Sequence, residues 1–308
     1  MKISRITSDT HEAIVRVEDA ATGLTGFIAV HSTQLGPAAG GLRMRPYGSE
    51  DEALQDVLRL SEGMTYKNAA AGLPLGGGKA VIIGHPEKHK SRALLQAFGR
   101  AIDTLKGSYI RAEVMGMSPA DMAVIAGVTP HVAGLADGAF ASGDPSPVTA
   151  RGIFNAIRTA WEHRQGSKNL TGVRVAVQGL GHVGWHLCAL LHGAGAQLTV
   201  TDIDAARIAE AEAAFGAKAE TLDGIYAAEA DIFAPCAIGG ILNKDTIPQL
   251  KAHVVAGGAN NQLLTEEDGA RLHARGILYA PDFVANGGGI INCATEILKI
   301  RDRESFVA

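Results

Sequence analysis

The chain has 308 residues, 46% of them hydrophobic, with 38 glycines and a net charge of −4. At about 100 to 200 residues per domain this length predicts two domains with ample core, and the charge shows no basic surplus of the kind that nucleic acid or an anionic membrane would attract. The three cysteines lie far apart without CxxC or metal spacing, which predicts small core residues in a reducing cytoplasm rather than disulfides or metal ligands.

In chain order, Met1 to Thr10 carries no apolar leader-like run, and no apolar stretch is long enough to span a bilayer, so a soluble, cytoplasmic protein with no membrane partner is expected. Residues 13–18 and 25–31 alternate in the β manner around an Ala-Ala-Thr-Gly turn and predict a hairpin that starts the first domain. Leu35 to Met44 follows, a glycine-rich stretch of small residues of the kind used where a ligand approaches the backbone. Ser49 with three acids after it predicts a capped helix with Leu54, Val57, Leu58 and Leu60 on its apolar face.

Two lysines, Lys67 and Lys79, stand among apolar and small residues. A desolvated lysine loses its charge readily and serves as a general acid or base, a role better suited to Lys79 after its three glycines; Lys67 at a helix end could hold a carboxylate as a fixed cation. On residue type alone, snorkelling of both amines to solvent is as good a reading. Beyond them, residues 91–105 predict a helix, 109–114 a strand, and Ser118-Pro119-Ala120-Asp121 a further cap. Gly143 to Thr149, with two prolines, reads as a linker into a helix over 150–162.

The chain's most informative stretch is 171–202. An apolar run at 173–177, then Gly179-Leu180-Gly181-His182-Val183-Gly184, a helix over 185–193, a second strand at 197–200 and Asp202 make one βαβ unit. The three glycines suit a tight turn, close approach to a pyrophosphate and close helix packing, and a carboxylate at the Asp202 spacing binds a ribose 2′-hydroxyl while repelling a 2′-phosphate, which favours NAD. His182 reads as solvent-facing within that turn. Strands are predicted at 231–235, 253–258 and 277–280, with Asn260-Asn261 and Asn286-Gly287-Gly288-Gly289 past their ends, where open α/β sheets bind ligands. Paired asparagines there are costly to bury unless they bond something.

Together with Gly40-Gly41-Leu42-Arg43-Met44, Met64-Thr65-Tyr66-Lys67, Gly76-Gly77-Gly78-Lys79, Gly143 to Thr149, Gly258 to Leu263 and Pro281-Asp282-Phe283, these motifs make the sequence resemble the glutamate/leucine/phenylalanine/valine dehydrogenase family, in particular its leucine and phenylalanine branch, over nearly the whole chain. The resemblance implies an α/β fold with a substrate-binding and oligomerisation domain over 1–135, followed by a doubly wound Rossmann-type NAD-binding domain with a C-terminal helix over 136–308. It implies Lys67 on the substrate α-carboxylate with Asn260 or Asn261, Lys79 as the catalytic lysine that activates water, and Gly41, Met64 and Val284 at the substrate. NAD would meet Ser146, Thr149, Gly179, Gly181, His182, Val183, Gly184, Asp202 and Asn260, and the chain would form a homo-oligomer, a dimer or higher.

One position departs from the family. Where members read Ala-Glu-Asp-Val-Gly, this chain reads Ala112-Glu113-Val114-Met115-Gly116, so Val114 replaces the aspartate that handles the proton of the substrate amino group. Neighbouring strand residues point to opposite faces, so Glu113 substitutes only if the strand bulges. The reading is therefore an NAD-dependent oxidoreductase acting at a C–N bond beside a carboxylate, with two alternatives: a specialised imine or oxo-acid reductase, and a non-catalytic NAD-binding paralogue.

Overall fold

The computed structural model describes residues 1–113 and 116–307, and Val114 lies outside them. The chain forms two compact units, one of Met1–Pro145 with Ile290–Ala308 and one of Ser146–Gly289. The division drawn from sequence at 135/136 thus moves to the start of a helix, and the C-terminal segment joins the first unit instead of the second.

The first unit contains β1 (Lys2–Ile6), β2 (Ala13–Asp19), β3 (Leu24–Ser32), β4 (Ala38–Arg45), α1 (Glu50–Ala70), β5 (Gly76–Ile83), α2 (Pro86–His89), α3 (Arg92–Asp103), β6 (Tyr109–Glu113) and α4 (Pro119–Ala126). Among the described residues the strands form a six-stranded sheet in the order β1-β2-β3-β5-β4-β6. Pairing is antiparallel from β1 to β5 and parallel among β5, β4 and β6. The predicted hairpin is β2–β3, but β1 precedes it as the edge strand. The glycine-rich segment at 38–45 is a strand that runs between β5 and β6.

Alternation along the strands sends side chains to two cores. Ile28, Val30, Ala38, Leu42, Ala80 and Ile82 meet Leu94, Phe98 and Ile102 of α3 on one face. Each fully buried side chain of this size contributes about 1.5–3 kcal/mol relative to an exposed one. The other face sets Phe27, Ala29 and Val81 against Ala53 and Val57 of α1. Helix starts follow the predicted caps: the hydroxyls of Ser49 and Ser91 accept from Glu52 and Leu94 N–H, and Ser118 closes a capping box with Asp121.

The second unit contains α5 (Ser146–Gln165), β7 (Arg174–Gln178), α6 (His182–Gly193), β8 (Gln197–Thr201), α7 (Ala205–Phe215), β9 (Lys218–Ala219), β10 (Ile232–Pro235), β11 (Val254–Val255), α8 (Glu267–Ala274), β12 (Leu278–Tyr279) and α9 (Asp282–Ala285). Its six strands are all parallel in the order β12-β11-β10-β7-β8-β9, the 3-2-1-4-5-6 order of a dinucleotide-binding sheet. Both faces are covered, which is why the strands are near-continuous apolar runs. Val175, Val177, Ile232 and Ala234 face α5 and α6, while Ala176, Phe233 and Val255 face the Leu250, Leu272 and Ile277 side. Helix α5 begins at Ser146, so the second half of the predicted linker is helical; a proline in a helix's first turn lacks only an N–H that would have no partner there.

Helix α10 (Gly288–Ile297) starts in the second unit and ends in the first, followed by α11 (Arg303–Val307). Within the first unit, Ser142 donates to Glu296 Oε2 through its N–H at 3.0 Å and its hydroxyl at 2.8 Å, and Gly134 N–H donates to the same oxygen at 2.8 Å. The Ser142 carbonyl accepts from Asn292 and Arg303. This network holds residues 134–142 in the first unit and moves the boundary to Pro145.

Candidate active site

In the first unit, four of the residues singled out from sequence belong to one face of the sheet. Lys79 lies in β5 with Ala29 as its cross-strand partner, on the α1 side by alternation with Val81. Gly41 of β4 is buried and lies on the same side as Ala39, which packs against Met64 of α1 together with Ile290 and Cys293 of α10. Lys67 stands in the last turn of α1, where the helix C-terminus favours a cation. Both amine side chains are buried, Lys79 at 3% exposure and Lys67 at 8%, so neither snorkels into solvent.

Burial makes Lys79 give up its proton far more readily than an ordinary lysine. The neighbouring cations Arg43 and Lys67 add to that effect, against the opposing influence of Asp56 and Cys293. The close fit of α1 on β5 depends on Gly77, where a Cβ would lie 2.0 Å from the Thr65 hydroxyl and 2.3 Å from Thr65 N. Two side chains that the sequence reading passed over hold this region. The buried Tyr109 hydroxyl donates to the carbonyls of Gly40 at 3.0 Å and Gly41 at 3.3 Å, and Asn68 ties the end of α1 to the Gly76 carbonyl.

In the second unit, the remaining candidates lie along the C-terminal edge of the parallel sheet. Gly179 to Gly184 join β7 to α6, whose first residue is His182, three residues earlier than predicted; His182 is exposed, as read. A Cβ on Gly184 would lie 2.0 Å from the Gly179 carbonyl oxygen, so only glycine fits there, whereas Gly181 has nothing within 4 Å of its Cβ position. The N-terminus of α6 has no side-chain cap. Its free N–H groups and the open space over Gly181 fit a bound pyrophosphate. Asp202 follows β8 and accepts from Leu180 N–H at 2.6 Å and Asp204 N–H at 2.9 Å. A carboxylate offers about four acceptor positions, so these two bonds leave room for ribose hydroxyls. The next residue, Ile203, is 90% exposed and offers an apolar surface for a flat base.

Asn260 and Asn261 lie beyond β11. Asn286 donates to Asn260 Oδ1 at 3.1 Å and to the Gly258 carbonyl at 3.1 Å. Asn261 adopts a left-handed backbone, φ 53°, and its N–H donates to Asp282 Oδ2 at 2.6 Å, while the Tyr279 hydroxyl donates to the other oxygen of Asp282. Asp282 and Asn286 are thus the residues that shape the asparagine pair, and they lie more than one element away from it in sequence. Val284, on α9, is 54% exposed. Ser146 and the buried Thr149 occupy the first turn of α5, where the approach of Gly288 to the Val148 carbonyl leaves no room for a side chain on Gly288.

A doubly wound parallel sheet with an uncapped glycine-turn helix is the architecture of a dinucleotide-binding unit, and the other unit buries two lysines, Lys79 in its sheet and Lys67 in the helix that covers it. Residues 9–131 match the model of the Glu/Leu/Phe/Val dehydrogenase dimerisation domain, and residues 142–213 and 201–306 match the Glutamate/Leucine/Phenylalanine/Valine dehydrogenase model. The chain belongs to this family: it is an amino-acid dehydrogenase-type oxidoreductase with a nicotinamide cofactor.

The chain is 53% identical to leucine dehydrogenase of Geobacillus stearothermophilus over 93% of its own length and 78% of that protein. It is 46% identical to L-tryptophan dehydrogenase of Nostoc punctiforme, over 96% and 83% of the two chains. The crystal structure of the Nostoc punctiforme enzyme aligns with a TM-score of 0.74 over 97% of this chain and 85% of that one, at 44% identity.

Proposed function

We propose that the chain is an NAD-dependent amino-acid dehydrogenase in which Lys79 is the acid/base and Lys67 holds the substrate α-carboxylate. The observation that carries this reading is the buried Lys79 amine, on a sheet face it shares with Gly41 and in a neighbourhood that includes Met64 and Lys67. Lys67 supplies a fixed cation for the carboxylate. Gly41 leaves room at the backbone, and Met64 and Val284 favour a small or apolar substrate side chain. The nicotinamide, when bound, exchanges a hydride with the substrate Cα. In the oxidative direction the neutral Lys79 amine takes the proton of the water that adds to the imine carbon and returns it as the amine leaves. Asn260 and Asn261 are assigned to substrate and cofactor polar groups, and Ser146 and Thr149 to the nicotinamide. The match to a dimerisation domain supports a homo-oligomer, dimer or higher. Among the described residues no helix is long and apolar enough to cross a membrane, and a cytoplasmic setting remains part of the proposal.

The test is a panel of amino acids, of 2-oxo acids with ammonia, and of preformed imines, followed at the nicotinamide absorbance. Turnover of an apolar amino acid is expected, and silence across the whole panel would refute the reading.

Asp202 supports NAD over NADP, because its carboxylate at the end of β8 suits a 2′-hydroxyl and repels a 2′-phosphate. Asp202→Asn keeps an acceptor for Leu180 N–H and removes the charge. The ratio of kcat/KM for NADP to that for NAD should rise by about tenfold, the equivalent of ~1.4 kcal/mol. An unchanged ratio would show that Asp202 does not choose the cofactor.

The identity of Val114 favours a second reading, specialisation toward an imine or oxo acid, since valine can neither take a proton nor pair with an ammonium. Under that reading Val114→Asp should give or raise oxidative deamination of primary amino acids, measured beside a melting curve because a buried unpaired carboxylate destabilises a fold. A folded variant with unchanged amino-acid oxidation would remove Val114 from the catalytic position. If an oxo acid with ammonia is turned over as fast as any imine, the specialised reading fails.

A further inference from the structure

We propose that the Arg43–Asp56 ion pair, closed by the Tyr47 hydroxyl, acts as a positioning pair for Lys79, holding one cation and one carboxylate at fixed places beside the amine. The inference rests on the reading of Lys79 as the acid/base and adds the residues that set its proton affinity.

Arg43 lies in β4 with Val81 as its partner in β5, two residues beyond Lys79 and on the same face of the sheet by alternation. One terminal nitrogen of Arg43 donates to both oxygens of Asp56, at 2.8 and 3.1 Å, and the Tyr47 hydroxyl donates to Asp56 at 2.7 Å. The side chains of the pair are only 12% and 17% exposed, so solvent screens them weakly. Asp56 belongs to α1, the helix that covers Lys79 and carries Lys67. A clamp between α1 and β4 alone would need no charge, yet this one places opposite charges beside a buried amine.

Among the described residues the charged and titratable groups that act on the Lys79 amine include Arg43 from β4, Asp56 and Lys67 from α1, and Cys293 from α10. From β3 the partner is Ala29, and the His31 ring farther along that strand is turned to the Thr65 hydroxyl at 2.8 Å. The two members of the pair act on the amine in opposite directions: Arg43 makes it easier to deprotonate and Asp56 harder. While the pair is intact these influences oppose each other, and removal of one member leaves the other unopposed.

Two measurements test the proposal. The pH dependence of Lys79 acylation by acetic anhydride, read by mass spectrometry of the Lys79 peptide, reports the amine without reference to turnover. The pH profile of kcat/KM reports the acid/base. Asp56→Asn should lower the titration point of the amine and Arg43→Met should raise it, each by about one pH unit, the lower end of what a neighbouring charge produces. Arg43→Lys, which restores the cation, should return it close to the wild-type position. Shifts in the same direction, or none in folded variants, would show that the pair is only a clamp. If either variant fails to fold, Tyr47→Phe carries the test: it keeps the pair but strips one hydrogen bond from Asp56, and it should shift the amine upward by a smaller amount. An unchanged amine in that variant would overturn the proposal. If acylation shifts as expected and the kcat/KM profile does not follow, the pair stands and Lys79 is not the acid/base.

Discussion

Lys79→Ala is expected to abolish most turnover and to leave the affinity for the nicotinamide cofactor at its wild-type value. Loss of a general acid/base reduces rate by about 10²- to 10⁴-fold. The proposed pyrophosphate site, by contrast, draws on the N-terminus of α6 and the Gly179 to Gly184 turn, elements of the other unit. The measurement is single-turnover rate beside a calorimetric cofactor titration. Full activity in the variant would refute the mechanism.

Because alanine also leaves a cavity, Lys79→Met is the companion: it keeps the stem and removes only the amine. Burial lowers the folded-state pKa of Lys79 below its unfolded value, so between the two the folded chain binds fewer protons than the unfolded one. Stability therefore rises with pH through that window, from the depressed value up to the ordinary lysine value of 10.5, and the destabilisation is complete below it. Lys79→Met should remove this slope and melt higher than the wild type at neutral pH. The oxidative kcat/KM of the wild type should rise with pH through the depressed value, since the proposed mechanism uses the neutral amine as the base.

The second large effect is on the fold. Gly77→Ala places a methyl group 2.0 Å from the Thr65 hydroxyl, 2.3 Å from Thr65 N and 2.6 Å from the Ser61 carbonyl oxygen. Two of those atoms are helix backbone and cannot rotate away, so α1 must shift off β5. Overpacking of this kind costs roughly 1–3 kcal/mol and at times more. At roughly 2–4 °C per kcal/mol for a unit of this size, the melting temperature should fall by about 2–12 °C. Because α1 also carries Met64 and Lys67, KM for the amino acid should rise in whatever protein remains folded. A variant with wild-type melting and wild-type KM would show that the contact between α1 and β5 is looser than the structure has it.

The parts of this molecule most legible in sequence are those whose cause is local. Ser49, Ser91 and Ser118 announce helix starts because a cap acts over three residues, and the β7-α6-β8 unit announces itself because turn, helix and acid follow in fixed order. Strand β4 was not legible, since Gly40 and Gly41 are poor strand formers, and only β5 and β6 on either side make them one. Ser146 reads as part of a linker because Pro145 and Pro147 flank it, although the second of these sits where a helix tolerates proline. Lys67 and Lys79 were found by residue type and neighbourhood. Asp56 is not legible in this way, and although Asp282 and Asn286 stand in motifs the sequence displays, their bonds to Asn261 and Asn260, like that of Asp56 to Arg43, exist only after folding.

The return of α10 to the first unit bears on how the protein is made. Met64, Leu73 and Leu75 close their part of the core against Ile290, Cys293 and Ala294, and Ser142 finds its carboxylate only in Glu296. A ribosome delivers the whole nucleotide-binding unit between those two sets of residues. The second unit is contiguous in the chain, whereas the first draws part of its core from a segment that lies on the far side of the second, so that core is complete only once α10 has joined it.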